Sequence, residues 1–140
     1  MLDRLGHVLT AGTATGRPAL VALVARIVAG SILVVFGAAK FADHAAEVDA
    51  FRDYGLPSPA AFVSAIGVVE GLGGVLLIVG LATRVAALVL AGNMVGAIIT
   101  SGVMQGEAIS LTLAPALLAT MLYLLWIGPG SRALDCRFRP

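Results

Sequence analysis

Charged or amide side chains lie deep inside three apolar stretches of this sequence: Arg26 in the first, Glu70 in the second and Asn93 in the third. A charge in a membrane interior costs at least ~2.5–3.5 kcal/mol unless it is compensated, so a basic and an acidic residue in such stretches are expected to meet inside a bundle. Helical rise puts Arg26 ~12 Å from Pro18, Glu70 ~16 Å from Leu81 and Asn93 ~13 Å from Arg84. Antiparallel packing would then gather the three into one polar layer, with the planar guanidinium of Arg26 against the Glu70 carboxylate. The bland role for such a layer is a staple that fixes helix packing. The functional roles are a cavity for a ligand headgroup, such as a quinone carbonyl or a small anion, or a proton or ion path. Glu70 is the switchable group in either case, since burial and a neighbouring cation act on its charge in opposite senses.

Positioning these residues requires membrane helices. The 140 residues are 59% apolar and only 12% charged, with 17 glycines and a mean hydropathy of +1.01, far from a soluble balance. Four apolar runs, Pro18 to Phe41, Pro59 to Leu81, Val85 to Val103 and Leu111 to Ile127, each approach the ~20 residues that cross a bilayer. The expected fold is all-α, a membrane-embedded four-helix bundle. It divides into a segment 1–17, a four-helix domain 18–127 and a tail 128–140. The first run is too long and too interrupted by Arg26 for a cleaved signal peptide, so it is expected to stay as a helix.

The connections have their own character. Ala42–Tyr54, with Ala46, Ala50 and Tyr54 four apart, reads as a short amphipathic helix in the first outward loop, stopped by Tyr54-Gly55-Leu56-Pro57-Ser58-Pro59. Ala82-Thr83-Arg84 is too short for anything but an antiparallel hairpin, with Arg84 snorkelling into the interface. Ser101–Ser110 reads as a short outer loop in which Glu107 is the only charge. Trp126 and Tyr123 read as interfacial aromatics, and Gly128-Pro129-Gly130 ends the last helix. Glycine pairs Gly67–Gly71 and Gly92–Gly96 have the spacing that lets helices approach closely in lipid.

Six arginines (Arg4, Arg17, Arg84, Arg132, Arg137, Arg139) fall on the side of the termini and two basic residues, Lys40 and Arg52, on the other. The positive-inside rule then places both termini in the cytoplasm. A net charge of +1 gives no reason to expect nucleic acid as a partner. The single cysteine, Cys136, excludes a two-thiol redox cycle within one chain. Asp43, His44 and Glu47 share a helical turn but read as a solvated face, and His7 as an ordinary polar residue, so no metal site is expected. Nucleotide-binding, nucleophile-elbow, zinc and haem-attachment motifs are absent, and neither histidine lies in a span to ligate haem.

The ordered pieces Arg26 with Gly30 and Phe36-Gly37-Ala38-Ala39-Lys40-Phe41, then Tyr54 through Pro59, Glu70-Gly71-Leu72-Gly73-Gly74 running to Gly80-Leu81-Ala82-Thr83-Arg84, Ala86-Ala87-Leu88 through Met94, and Gly128-Pro129-Gly130 with Leu134-Asp135 together resemble the DoxX family of small bacterial membrane proteins. The resemblance carries over Arg26, Lys40, Glu70 and Arg84, with an interfacial motif of Lys40, Tyr54, Gly55, Pro57 and Arg84. It implies a multi-pass protein of the bacterial plasma membrane, related to a subunit of a thiosulfate:quinone oxidoreductase and to the methylamine-utilisation protein MauE. The expected function is an accessory or scaffold subunit of a membrane redox complex that binds quinone or lipid, with redox-enzyme subunits or further copies of itself as partners. The alternatives are an autonomous quinone-dependent oxidoreductase of sulfur or thiol compounds, and an oligomeric small-molecule transporter or channel. Assembly motifs do not by themselves specify an activity.

Overall fold

The computed structural model describes residues 15–57 and 59–136. Expectations that fall on Arg4, His7, Ser58, Arg137 and Arg139 lie outside the described residues. The chain forms α1 (Arg17–Ala42), α2 (His44–Asp53), α3 (Pro59–Val79), α4 (Thr83–Ala97) and α5 (Ala108–Ile127). α4 continues without a break into a π-helical stretch, Ile98–Met104. Four of these elements are long and apolar enough to cross a membrane: α1, α3, α5, and α4 with its π-helical extension. Large apolar residues such as Leu20, Val35, Leu72, Leu88 and Trp126 face outward, where lipid covers them. The fold is an all-α membrane bundle, and no strand occurs among the described residues.

The sequence limits explain these helices well. Proline stands in the first turn of both α1 and α3, where its missing N–H costs nothing and its fixed φ suits the helix. At the other end of α1 the chain turns at Asp43, and the His44 Nδ1–H donates to the Lys40 carbonyl (3.1 Å), satisfying one terminal acceptor. The amphipathic α2 buries Phe51, whose ring lies 5.2 Å from that of Tyr54. It stops at Gly55, which has φ +71°, a conformation that glycine adopts without steric cost.

Around the bundle α1 packs on α3, α3 on α4, α4 on α5, and α5 returns to α1. The tightest seam is α1 against α3. A Cβ on Gly30 would stand 2.6 Å from the Gly74 carbonyl oxygen, and one on Gly37 2.6 Å from the Gly71 nitrogen. Without side chains at these positions the two backbones can touch. Gly92 and Gly96 behave differently, since a Cβ on either meets nothing within 4 Å. They leave open space on α4 rather than admitting a neighbouring helix. The expected loop Ser101–Ser110 is also shorter than its sequence suggested. Helix persists to Met104 and resumes at Ala108, because the Glu107 carboxylate accepts hydrogen bonds from Ser101 and from Ser110 (2.7 Å) and ties the two helix ends together.

Candidate functional site: a polar triad beside an intramembrane cavity

Glu70 lies inside the bundle, 5% exposed. Its Oε2 is 2.9 Å from Lys40 Nζ, and its Oε1 accepts a hydrogen bond from Asn93 Nδ2 at 2.9 Å. Glu70 and Asn93 thus come together as their depths suggested, while the cation is Lys40 from α1. Lys40 was expected at the interface and is instead only 8% exposed. Arg26 stands apart from this group.

Register and side-chain direction explain the exchange of partners. Gly30 faces Gly74, and Gly37 faces Gly67 and Gly71, so Glu70 is level with the stretch around Val34–Ala38 of α1. Arg26 is then displaced from it by two to three turns, roughly 12–18 Å. Helical side chains lean toward the N-terminus of their own helix. In antiparallel α1 and α3, Arg26 therefore leans away from Glu70, whereas Lys40, lying beyond it on the other side, leans toward it. The geometry that separates one pair creates the other.

Arg26 is 1% exposed at the opposite end of the bundle. There its Nη1 donates to the carbonyl of buried Pro129. The segment after α5 folds back over this end. Asp135 accepts hydrogen bonds from the backbone N–H groups of Ala82 (2.6 Å) and Thr83 (2.9 Å), and its own N–H donates to the Gly80 carbonyl (2.9 Å). Asp135 is thus a cap supplied to α4 from 52 residues away. Arg84, expected to snorkel, is buried at 7% exposure, because this returning segment roofs the end of the helix where it sits. Gly80, with φ +72°, leaves room for the guanidinium: a Cβ there would stand 2.7 Å from Arg26 Nη1.

The Lys40–Glu70–Asn93 group borders a cavity of about 380 Å³ whose apolar wall includes Leu33, Ile66, Leu113 and Leu117. This size falls in the usual range for small-molecule sites, and a few convergent polar groups on an apolar wall is their usual composition. Gly92 and Gly96 line it too, which gives their bare surface a purpose. Of the interfacial motif, Tyr54 lines the cavity, while Gly55 and Pro57 are exposed in the turn that follows α2. The Ser101–Ser110–Glu107 cluster also lies on the wall, with the two serine hydroxyls 2.7 Å apart. Sequence reading missed the Lys40 pairing, the cap at Asp135 and this cluster. The Lys40 pairing alone left a signal, in the opposed lean of side chains on antiparallel helices.

Four apolar helices long enough to span a membrane, with a buried ion pair beside a half-open cavity, define a small multi-pass membrane protein. Residues 21–103 match the model of the DoxX family, and the chain belongs to that family. It is 35% identical over 113 residues to a Bacillus subtilis (strain 168) protein named "Putative oxidoreductase CatD", covering 81% of this chain and 83% of that one. It is also 35% identical over 100 residues to the "Uncharacterized membrane protein Rv3486" of Mycobacterium tuberculosis (strain ATCC 25618 / H37Rv), covering 62% of this chain and 61% of that one. No solved structure matches it.

Proposed function

We propose that this chain is an accessory subunit of a redox assembly in the bacterial plasma membrane and that its cavity receives a quinone headgroup. The observation that carries this reading is the Lys40–Glu70–Asn93 group on the wall of an apolar cavity. An ammonium has three donors and a primary amide two. With one of each directed to Glu70, Lys40 and Asn93 keep N–H groups for a carbonyl oxygen, the acceptor that a quinone presents. Glu70 holds both donors in place. A bound quinone supplies the capacity to carry two electrons with two protons. The name of the Bacillus subtilis relative supports a redox setting, and the single cysteine favours a subunit role over autonomous dithiol chemistry.

The orientation with both termini in the cytoplasm belongs to the same reading. Burial against Glu70 removes Lys40 from the loop charges. Among the described residues outside the bundle interior, Arg52 is then the basic residue at the α2 end, against Arg17 and Arg132 at the other, a bias that orients membrane proteins.

The test is isolation of the tagged protein from its native membrane in mild detergent, with extracted quinone and copurifying proteins quantified by mass spectrometry. The wild-type chain is expected to retain quinone and a redox partner, and Lys40→Met to lose the quinone at least tenfold while keeping the partner. A wild-type chain that emerges without either overturns the reading.

A further inference from the structure

The cavity wall is unbalanced in charge. Among the described residues Lys40 is its one cation, and Glu47, Glu70 and Glu107 all line it, so one positive and three negative groups leave a formal charge of minus two there. Lys40 and Glu70 neutralise each other across 2.9 Å. The surplus therefore sits on Glu47 of α2 and Glu107 at the start of α5. These lie at the same end of the bundle, because Gln105 Nε2 donates to the Asp53 carbonyl (3.0 Å) and holds the turn before α5 beside the end of α2. Glu107 is fixed by the hydroxyls of Ser101 and Ser110. Glu47 is half-buried, and its carboxylate makes no hydrogen bond or ion pair among the described residues. Neither acid has a cationic partner among the described residues.

A second, independent feature of the same wall is its aromatic content. Phe36, Phe51, Tyr54 and Phe62 come to it from α1, α2, the cap of α2 and α3. Aromatic faces attract cations through their quadrupole, and the attraction strengthens where water is reduced. Glu47 is half-buried and Glu107 exposed, so the field of the two carboxylates acts at the solvent-reached edge of the cavity, beside its apolar wall. An anion entering this cavity meets repulsion. A neutral group gains nothing from the surplus charge, and an organic cation with an apolar body satisfies both features together.

We propose that the cavity binds a cationic amphiphile, with its ammonium group held between Glu47 and Glu107 among the aromatic rings and its apolar body against the aliphatic wall. This proposal rests on the cavity but not on quinone binding, which uses Lys40 and Asn93 instead. It also assigns a selectivity: oxyanions are excluded from this site.

The experiment compares ligands of one chain length and opposite charge. Radiolabelled decyltrimethylammonium is titrated onto the purified full-length chain in maltoside detergent, with unlabelled decyl sulfate as competitor. Saturable binding that decyl sulfate does not displace is expected. Glu47→Gln and Glu107→Gln should each weaken it about tenfold, as loss of one near-surface charge contact does, and the double variant should abolish it. The Glu47 carboxylate bonds nothing among the described residues, so Glu47→Gln should keep its thermal midpoint and separates recognition from folding. Binding unchanged in Glu47→Gln, or equal displacement by decyl sulfate, overturns the proposal. The two readings fail separately, because quinone retention is read in Lys40→Met and ammonium binding in the glutamate variants.

Discussion

Lys40 and Glu70 show how one contact can constrain a whole interior. Neither charge is tolerable alone in apolar surroundings, so each makes the other necessary. Lys40→Met should destabilise the protein by about 3–5 kcal/mol, because a buried carboxylate is left uncompensated. Adding Glu70→Leu to Lys40→Met should restore much of that loss, since the stranded charge is then gone. Denaturant unfolding in detergent micelles measures both. A double variant no more stable than the single one would show that the pair is not the source of the effect. Arg26 answers to a different partner: Arg26→Met strands the Pro129 carbonyl and should cost about 1–3 kcal/mol. Its signature is faster proteolysis after residue 128, which a defect at the Glu70 layer would not produce.

Between helices, the glycines do two jobs that their spacing alone does not distinguish. Gly30→Ala or Gly74→Ala drives a methyl group into facing backbone and should cost about 1–3 kcal/mol, as overpacking does. Gly92→Ala and Gly96→Ala meet open space and should leave stability nearly unchanged while narrowing the cavity. Thermal midpoints of the four variants check this contrast, and equal losses at all four positions would refute it. The cap on α4 is an element-scale device too. Asp135→Ala removes the acceptors of the Ala82 and Thr83 N–H groups and should cost about 0.5–2 kcal/mol, read as increased hydrogen exchange in the first turn of α4 while α1 and α3 stay protected.

For the molecule as a whole, the two ends of the bundle differ in chemistry. One is closed by the returning segment over Arg26, and the other carries α2, Glu47 and Glu107 beside the cavity. The proposed orientation puts the cavity end outside the cytoplasm. In a Cys136→Ser background, Asp49→Cys should therefore react with a membrane-impermeant maleimide in intact cells, and Arg132→Cys only after permeabilisation. The reverse pattern would invert the topology and place the cavity end inside.

Helix limits were legible in the sequence because they depend on local causes. An apolar run ends where proline, glycine and charges begin, so the first span, expected at Pro18 to Phe41, forms as Arg17–Ala42 and the second begins at Pro59. Membership in the DoxX family was legible for a similar reason, as an ordered set of short motifs. That Glu70 and Asn93 need polar partners also followed from single positions, since a polar group in an apolar run needs a partner wherever it lies. Which partner it finds is not a local property. Lys40 replaces Arg26 because glycine contacts fix the register of α1 against α3 and because side chains on antiparallel helices lean in opposite directions. Asp135 reaches α4 only because the chain folds back over the bundle. Apolar length thus determined the elements from sequence alone. Tertiary structure decided which charges meet, because a buried charge is stabilised by distance and direction, and those exist only after the helices pack.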